Sequence, residues 1–77
     1  MAAIAYFRKI AETEELVEYQ FGDAPDNLKR RLTMDKTSRT STVHDAQIDH
    51  TFLKASRKLN ALHTERGVWP ERGMSVS

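Results

Sequence analysis

The sequence predicts an α+β domain: an antiparallel sheet of three strands, or four if residues 39–43 pair, packed against one C-terminal α-helix. Three observations carry this. Ile48, Phe52, Ala55, Leu59 and Leu62 recur at intervals of four, three, four and three, which sets all five on one side of a helix. Val17, Tyr19 and Phe21 alternate with Glu18 and Gln20, the two-residue period of a half-buried strand. Leu32 and Met34 alternate with Arg31, Thr33 and Asp35 in the same way. The helix stripe and the strand faces have only each other to cover, so a sheet with one helix across it is the economical solution.

Residues 3–11 suit a first strand through Tyr6, Phe7 and Ile10, but apolar residues fall on both faces and the inward face stays open. Glu12-Thr13-Glu14 turns the chain without the Asn-Gly or Asp-Gly of a tight hairpin, so the register is open too. A second strand runs over 15–21 and stops at Gly22-Asp23-Ala24-Pro25-Asp26-Asn27, a dense run of turn formers. The third strand spans 28–35, with Leu32 and Met34 inward, Leu28 at the rim, and Lys29 and Arg31 on the outer face. Asp35–Ser38 reads as a turn, after which residues 39–43 form either a short return strand or an extended loop.

The helix is expected to begin near Asp45 or Ala46, with Asp45 as cap and Asp49 also near the end whose dipole favours anions. Lys54, Arg57, Lys58 and Arg66 lie toward the end that favours cations. Gly67 is placed to stop the helix, with Val68 touching Leu62, and Pro70 bars continuation. The expected core is Val17, Tyr19, Phe21, Leu32, Met34, Ile48, Phe52, Ala55, Leu59 and Leu62, with Trp69 folded back over its edge.

Seventy-seven residues make one domain, placed at 1–73 with 74–77 as a frayed tail. Its 39% hydrophobic and 30% charged composition excludes wholesale disorder. There is no cysteine, hence no disulfide framework and no thiolate for zinc or nucleophilic work, which favours a reducing compartment. Met1–Phe7 is apolar but Arg8 and Lys9 follow it, the reverse of a secretory leader. No run approaches the ~20 apolar residues of a membrane span. The expectation is a soluble, cytoplasmic chain with no membrane partner.

The motifs for chemistry are sparse. His44 and His50 are six residues apart and His63 thirteen further on, which fits no helical zinc pair, and helix capping already accounts for Asp45 and Asp49. Thr42 lies near His44, but on a polar segment with nothing to exclude water. Three glycines, Gly22, Gly67 and Gly73, make no phosphate-cradling loop. A domain this small encloses no large ligand cleft. The expectation is therefore no catalytic, cofactor-binding or metal-binding residue and no small-molecule substrate.

Charge carries the remaining signal. Residues 1–27 hold two Lys/Arg against six acids and residues 28–77 hold ten against five, a net −4 and +5. The plain explanation is two halves that attract one another. The functional one is a basic face around the third strand, formed by Lys29, Arg31, Lys36 and Arg39, with Tyr6 or Phe7 outside to stack a base. Glu18 and Gln20 share the outer face and blunt its field. The leading reading is a non-enzymatic interaction module that binds a protein partner or a second copy through a sheet edge or face; the alternative is nucleic-acid binding through those four residues.

The order strand–strand–strand–helix resembles, in topology only, the plant-type AP2 and integrase amino-terminal DNA-binding domains, whose sheet enters the major groove. The stretches Thr33-Met34-Asp35-Lys36, Ala55-Ser56-Arg57-Lys58-Leu59 and Trp69-Pro70-Glu71-Arg72-Gly73 are similar to small uncharacterised actinobacterial proteins. Neither resemblance implies an activity or transfers a site residue.

Overall fold

The computed structural model describes residues 4–76. Its strands are β1 (Ile4–Glu12), β2 (Leu16–Gly22), β3 (Arg30–Asp35), β4 (Ser41–Val43) and β5 (Arg72–Val76), and its one helix is α1 (His50–Arg66). The five strands form one antiparallel sheet in the order β4-β3-β2-β1-β5, and α1 packs over β1, β2 and β5. The α+β class stands. The strand number is five, where three or four were expected.

The inner face is built as the alternation requires. Val17, Tyr19, Phe21, Leu32 and Met34 are fully buried beneath Phe52, Ala55, Leu59 and Leu62. Pairing decides what the first strand left open. Phe7 lies opposite Phe21, so Ala5 and Phe7 point inward, and the Phe7 ring meets Tyr19 edge-on at 5.8 Å. Alternation then puts Ile10 outside with Tyr6 and Arg8, at a bulge between Lys9 and Ala11.

The fifth strand corrects the expected fraying at residues 74–76, which pair with β1; Ser77 lies outside the described residues. Without β5, β1 would present a bare edge of unpaired backbone groups. The chain reverses after Pro70, the Lys9 N–H donates to the Glu71 carbonyl at 2.7 Å, and the ladder then runs from Arg8–Arg72 to Ile4–Val76. Gly73 permits the close approach, because a Cβ there would stand 2.9 Å from the Phe7 ring. Trp69 folds back as expected, stacked on His63 with ring centres 4.2 Å apart. The Tyr19 hydroxyl donates to the Pro70 carbonyl from inside the core.

Two expectations about the helix fail for one reason. α1 starts at His50, and its cap is Asp49, whose side chain accepts from the Phe52 N–H at 3.0 Å. Arg30 holds the preceding segment as a loop: it binds Asp45 at 2.7 Å, Asp49 at 2.8 Å and the Gln47 carbonyl at 2.8 Å. Ala46 adopts φ 60°, which a helix cannot continue through. Ile48 therefore lies in that loop, 72% exposed, and is not a core residue. At the other end Gly67 takes φ 74° and its N–H donates to the His63 carbonyl. Val68 stands exposed, so that backbone bond carries the stop.

Candidate functional site

The outer face of the sheet carries the molecule's most unusual side-chain arrangement. Cross-strand register aligns Arg31 with Gln20, Gln20 with Arg8, and Arg8 with Arg72. One rung thus crosses β3, β2, β1 and β5 with three arginines in four positions. His44 extends it beyond β4, its N–H donating to the Arg31 carbonyl at 2.9 Å. Neighbouring strands lie about 4.8 Å apart, so Arg31 and Arg72 are separated by roughly 14 Å of backbone.

The electrostatics are uneven along this rung. Arg31 has Glu18 at 3.9 Å and is 55% exposed, a loose surface pair of small energetic value. Arg8 donates to the neutral Gln20 Oε1 at 3.0 Å. Among the described residues neither Arg8 nor Arg72 has an acidic partner within ion-pair distance. They face each other directly across β1 and β5, an arrangement that destabilises a sheet by up to about 1 kcal/mol. The next rung places Met74 opposite Tyr6. Tyr6, Met74, Pro25 and Leu28 line an open cleft of about 330 Å³ walled by Arg8 and Arg72.

The four residues expected to form a basic patch are not brought together. Arg31 is on the outer face, and Lys29 is exposed just before β3, beside a second cleft that Asp26 also lines. Lys36 is occupied elsewhere, donating to Glu12 Oε2 at 2.7 Å and to the Thr13 carbonyl at 2.6 Å. Arg39 reaches the helix, where it bonds His63 and Thr64 and lies over the Trp69 ring. Arg8 and Arg72 take their places. Their membership depends on pairing between strands 60 residues apart in the chain, and no local pattern announces it. The alternation of β1 was the one available signal, since placing Phe7 inside puts Arg8 outside.

Several of the other charged groups hold the fold together. Glu12 bridges Lys36 and Lys9, and these bonds, that to Lys36 foremost, hold its carboxyl below the usual range. Arg30 does the same for Asp45 and Asp49. The cleft beside Trp69 is lined by Lys9 and Lys36 but also by Glu12 and Glu71, so its charges cancel. His44 pairs with Thr33, at 2.7 Å, and not with Thr42; the pair sits exposed at the sheet's end with no carboxylate bonded to the ring among the described residues. No group of three or more potential metal-ligating side chains occurs among the described residues. Among the described residues no helix is long and apolar enough to cross a membrane.

Comparison with protein families, with characterised proteins and with solved structures finds no match. What this face can hold follows from its own geometry. It offers fixed positive charge and a small apolar recess on a rigid sheet. Such a surface can attract an anion.

Proposed function

We propose that this chain is a non-catalytic binding module that takes an anionic partner on the outer face of its sheet. The observation that carries the reading is the Arg31–Gln20–Arg8–Arg72 rung. Two of its arginines oppose each other without an acid to offset them among the described residues, while the acids Glu12, Asp45 and Asp49 serve other cations. An anionic partner would supply the negative charge that this directly opposed pair lacks among the described residues. Titrating the isotopically labelled protein with polyanions at low ionic strength tests this. Amide shifts should concentrate on residues 6–8, 18–20, 29–33 and 72–74 and fade with added salt. An unchanged spectrum at low salt, where attraction between charges is strongest, defeats the proposal.

A second reading rests on β5. It is a five-residue edge strand without proline or acid, whereas the opposite edge, β4, has only three residues. A second copy paired antiparallel and centred on Met74 would set Arg72 against Val76 and so avoid like-charge contact. Light scattering should then report two chains, and a one-chain mass across a wide concentration range excludes it.

A further inference from the structure

Resting on the anion-binding reading, we propose that the cleft between Arg8 and Arg72 seats one unstacked base of a single-stranded nucleic acid, whose phosphates lie on the arginine rung. Tyr6, Leu28, Pro25 and Met74 supply the apolar walls, and Arg8 and Arg72 flank them. Met74 is 41% exposed, so the recess is open to a ligand arriving from solvent.

The chemistry of the recess discriminates among partners. An acidic peptide would engage the arginines and leave the apolar walls wet. An apolar segment would fill the recess but cover two guanidinium groups that have no acidic partner among the described residues, which carries a desolvation cost. A duplex keeps its bases stacked inside and offers the recess nothing unless one is extruded. A single strand alternates a flat, largely apolar ring with a phosphate, and both halves of this surface are then used. Tyr6 supplies a ring face, and the guanidinium planes of Arg8 and Arg72 stack on bases as well as bind phosphate.

The rung sets the path. It crosses the strands over roughly 14 Å from Arg72 to Arg31, room for a few nucleotides. Glu18 partly compensates Arg31, and Asp26 lines a neighbouring cleft together with Lys29 and Arg8; Arg8 and Arg72 are the principal phosphate anchors because they flank the recess itself. With three phosphates neutralised, affinity for a single strand should fall with a log–log salt slope of about −2, which is about 20-fold between 50 and 200 mM salt.

The test is fluorescence anisotropy with labelled oligonucleotides of one mixed sequence, as single-stranded DNA, single-stranded RNA and duplex, with polyglutamate as the anion lacking bases. Single strands should bind more tightly than duplex or polyglutamate, and the DNA and RNA arms separate the two sources. Tyr6→Ala should weaken single-strand binding by roughly 5- to 150-fold and leave the salt slope unchanged. Tyr6→Phe, which keeps the ring, should bind as the parent does. Arg8→Gln and Arg72→Gln should each shallow the slope by about 0.7, and Arg57→Gln on the exposed helix should not. Met74→Glu, at an exposed edge position, places a charge in the recess without touching the core and should abolish binding, so the inference stays testable if Tyr6→Ala fails to fold. Duplex or polyglutamate binding equal to single-strand binding, or intact binding by Met74→Glu, overturns the base seat while leaving the anionic face in place. Absence of binding to every polyanion at low salt removes both.

Discussion

Replacing Leu59 and Ile48 separately by alanine tests the architecture directly, because both belong to the same four-three-four-three stripe and the structure assigns them opposite fates. Leu59 is fully buried under the sheet. Its truncation leaves a cavity in a core of few side chains and should cost about 2–5 kcal/mol. A domain of this length has roughly 4–12 kcal/mol in total, so Leu59→Ala consumes a large part of it. At about 4–8 °C per kcal/mol, the melting temperature should drop by roughly 8–40 °C. Ile48 is 72% exposed, so only about a quarter of its surface leaves water on folding. Full burial of isoleucine contributes about 1.5–3 kcal/mol, and Ile48→Ala should therefore cost about 0.5 kcal/mol. The assay is urea unfolding followed both by far-ultraviolet circular dichroism and by the fluorescence of Trp69, the single tryptophan, at the rim of the core. Coincident transitions license the two-state treatment. Equal losses for the two variants would show that the helix begins before Ile48 and that the Arg30 loop is wrong. A loss below about 1 kcal/mol for Leu59→Ala would remove the helix-on-sheet core itself.

Tyr19→Phe removes the hydroxyl that donates to the buried Pro70 carbonyl and should cost about 1–3 kcal/mol, with faster amide exchange confined to residues 69–76. Arg30 hydrogen bonds hold the Asp45 and Asp49 carboxyls below their ordinary value of 3.8. A carboxyl depressed in the folded state contributes stability above its unfolded value, and that contribution is lost as pH falls through the folded value, so the urea midpoint should drop below about pH 4. Arg30→Gln should lower the midpoint at neutral pH and shrink that acid-limb drop; an unchanged acid limb would show that the ion pairs do not form in solution.

The charged face shows how far a local pattern reaches. Alternation over 28–35 is enough to put Arg31 outside, because the side-chain period of a strand is fixed by backbone geometry. It says nothing of Lys36 and Arg39, which lie past the strand where direction depends on what the turn meets. One meets Glu12 and the other His63, from segments 24 residues away on either side. Arg8 and Arg72 were hidden for the complementary reason. Each is unremarkable in its own segment, and only antiparallel pairing makes them neighbours.

By itself the sequence determined the class of fold, the inner faces of β2 and β3, the glycine stop after α1 and the return of Trp69 to the core, all of which follow from hydrophobic period and local backbone preference. The tertiary structure decided the fifth strand, the inward face of β1, the late start of the helix and the arginine rung. Residues 72–76 have no strand signature of their own; they pair because β1 would otherwise leave an unsatisfied edge and Gly73 lets them approach Phe7. Ile48 fits the helical period, yet Arg30 closes on Asp45, Gln47 and Asp49 and holds that segment out of the helix. Periodicity records what each element would bury, whereas register and termini are set by long-range pairs whose partners a local window never contains.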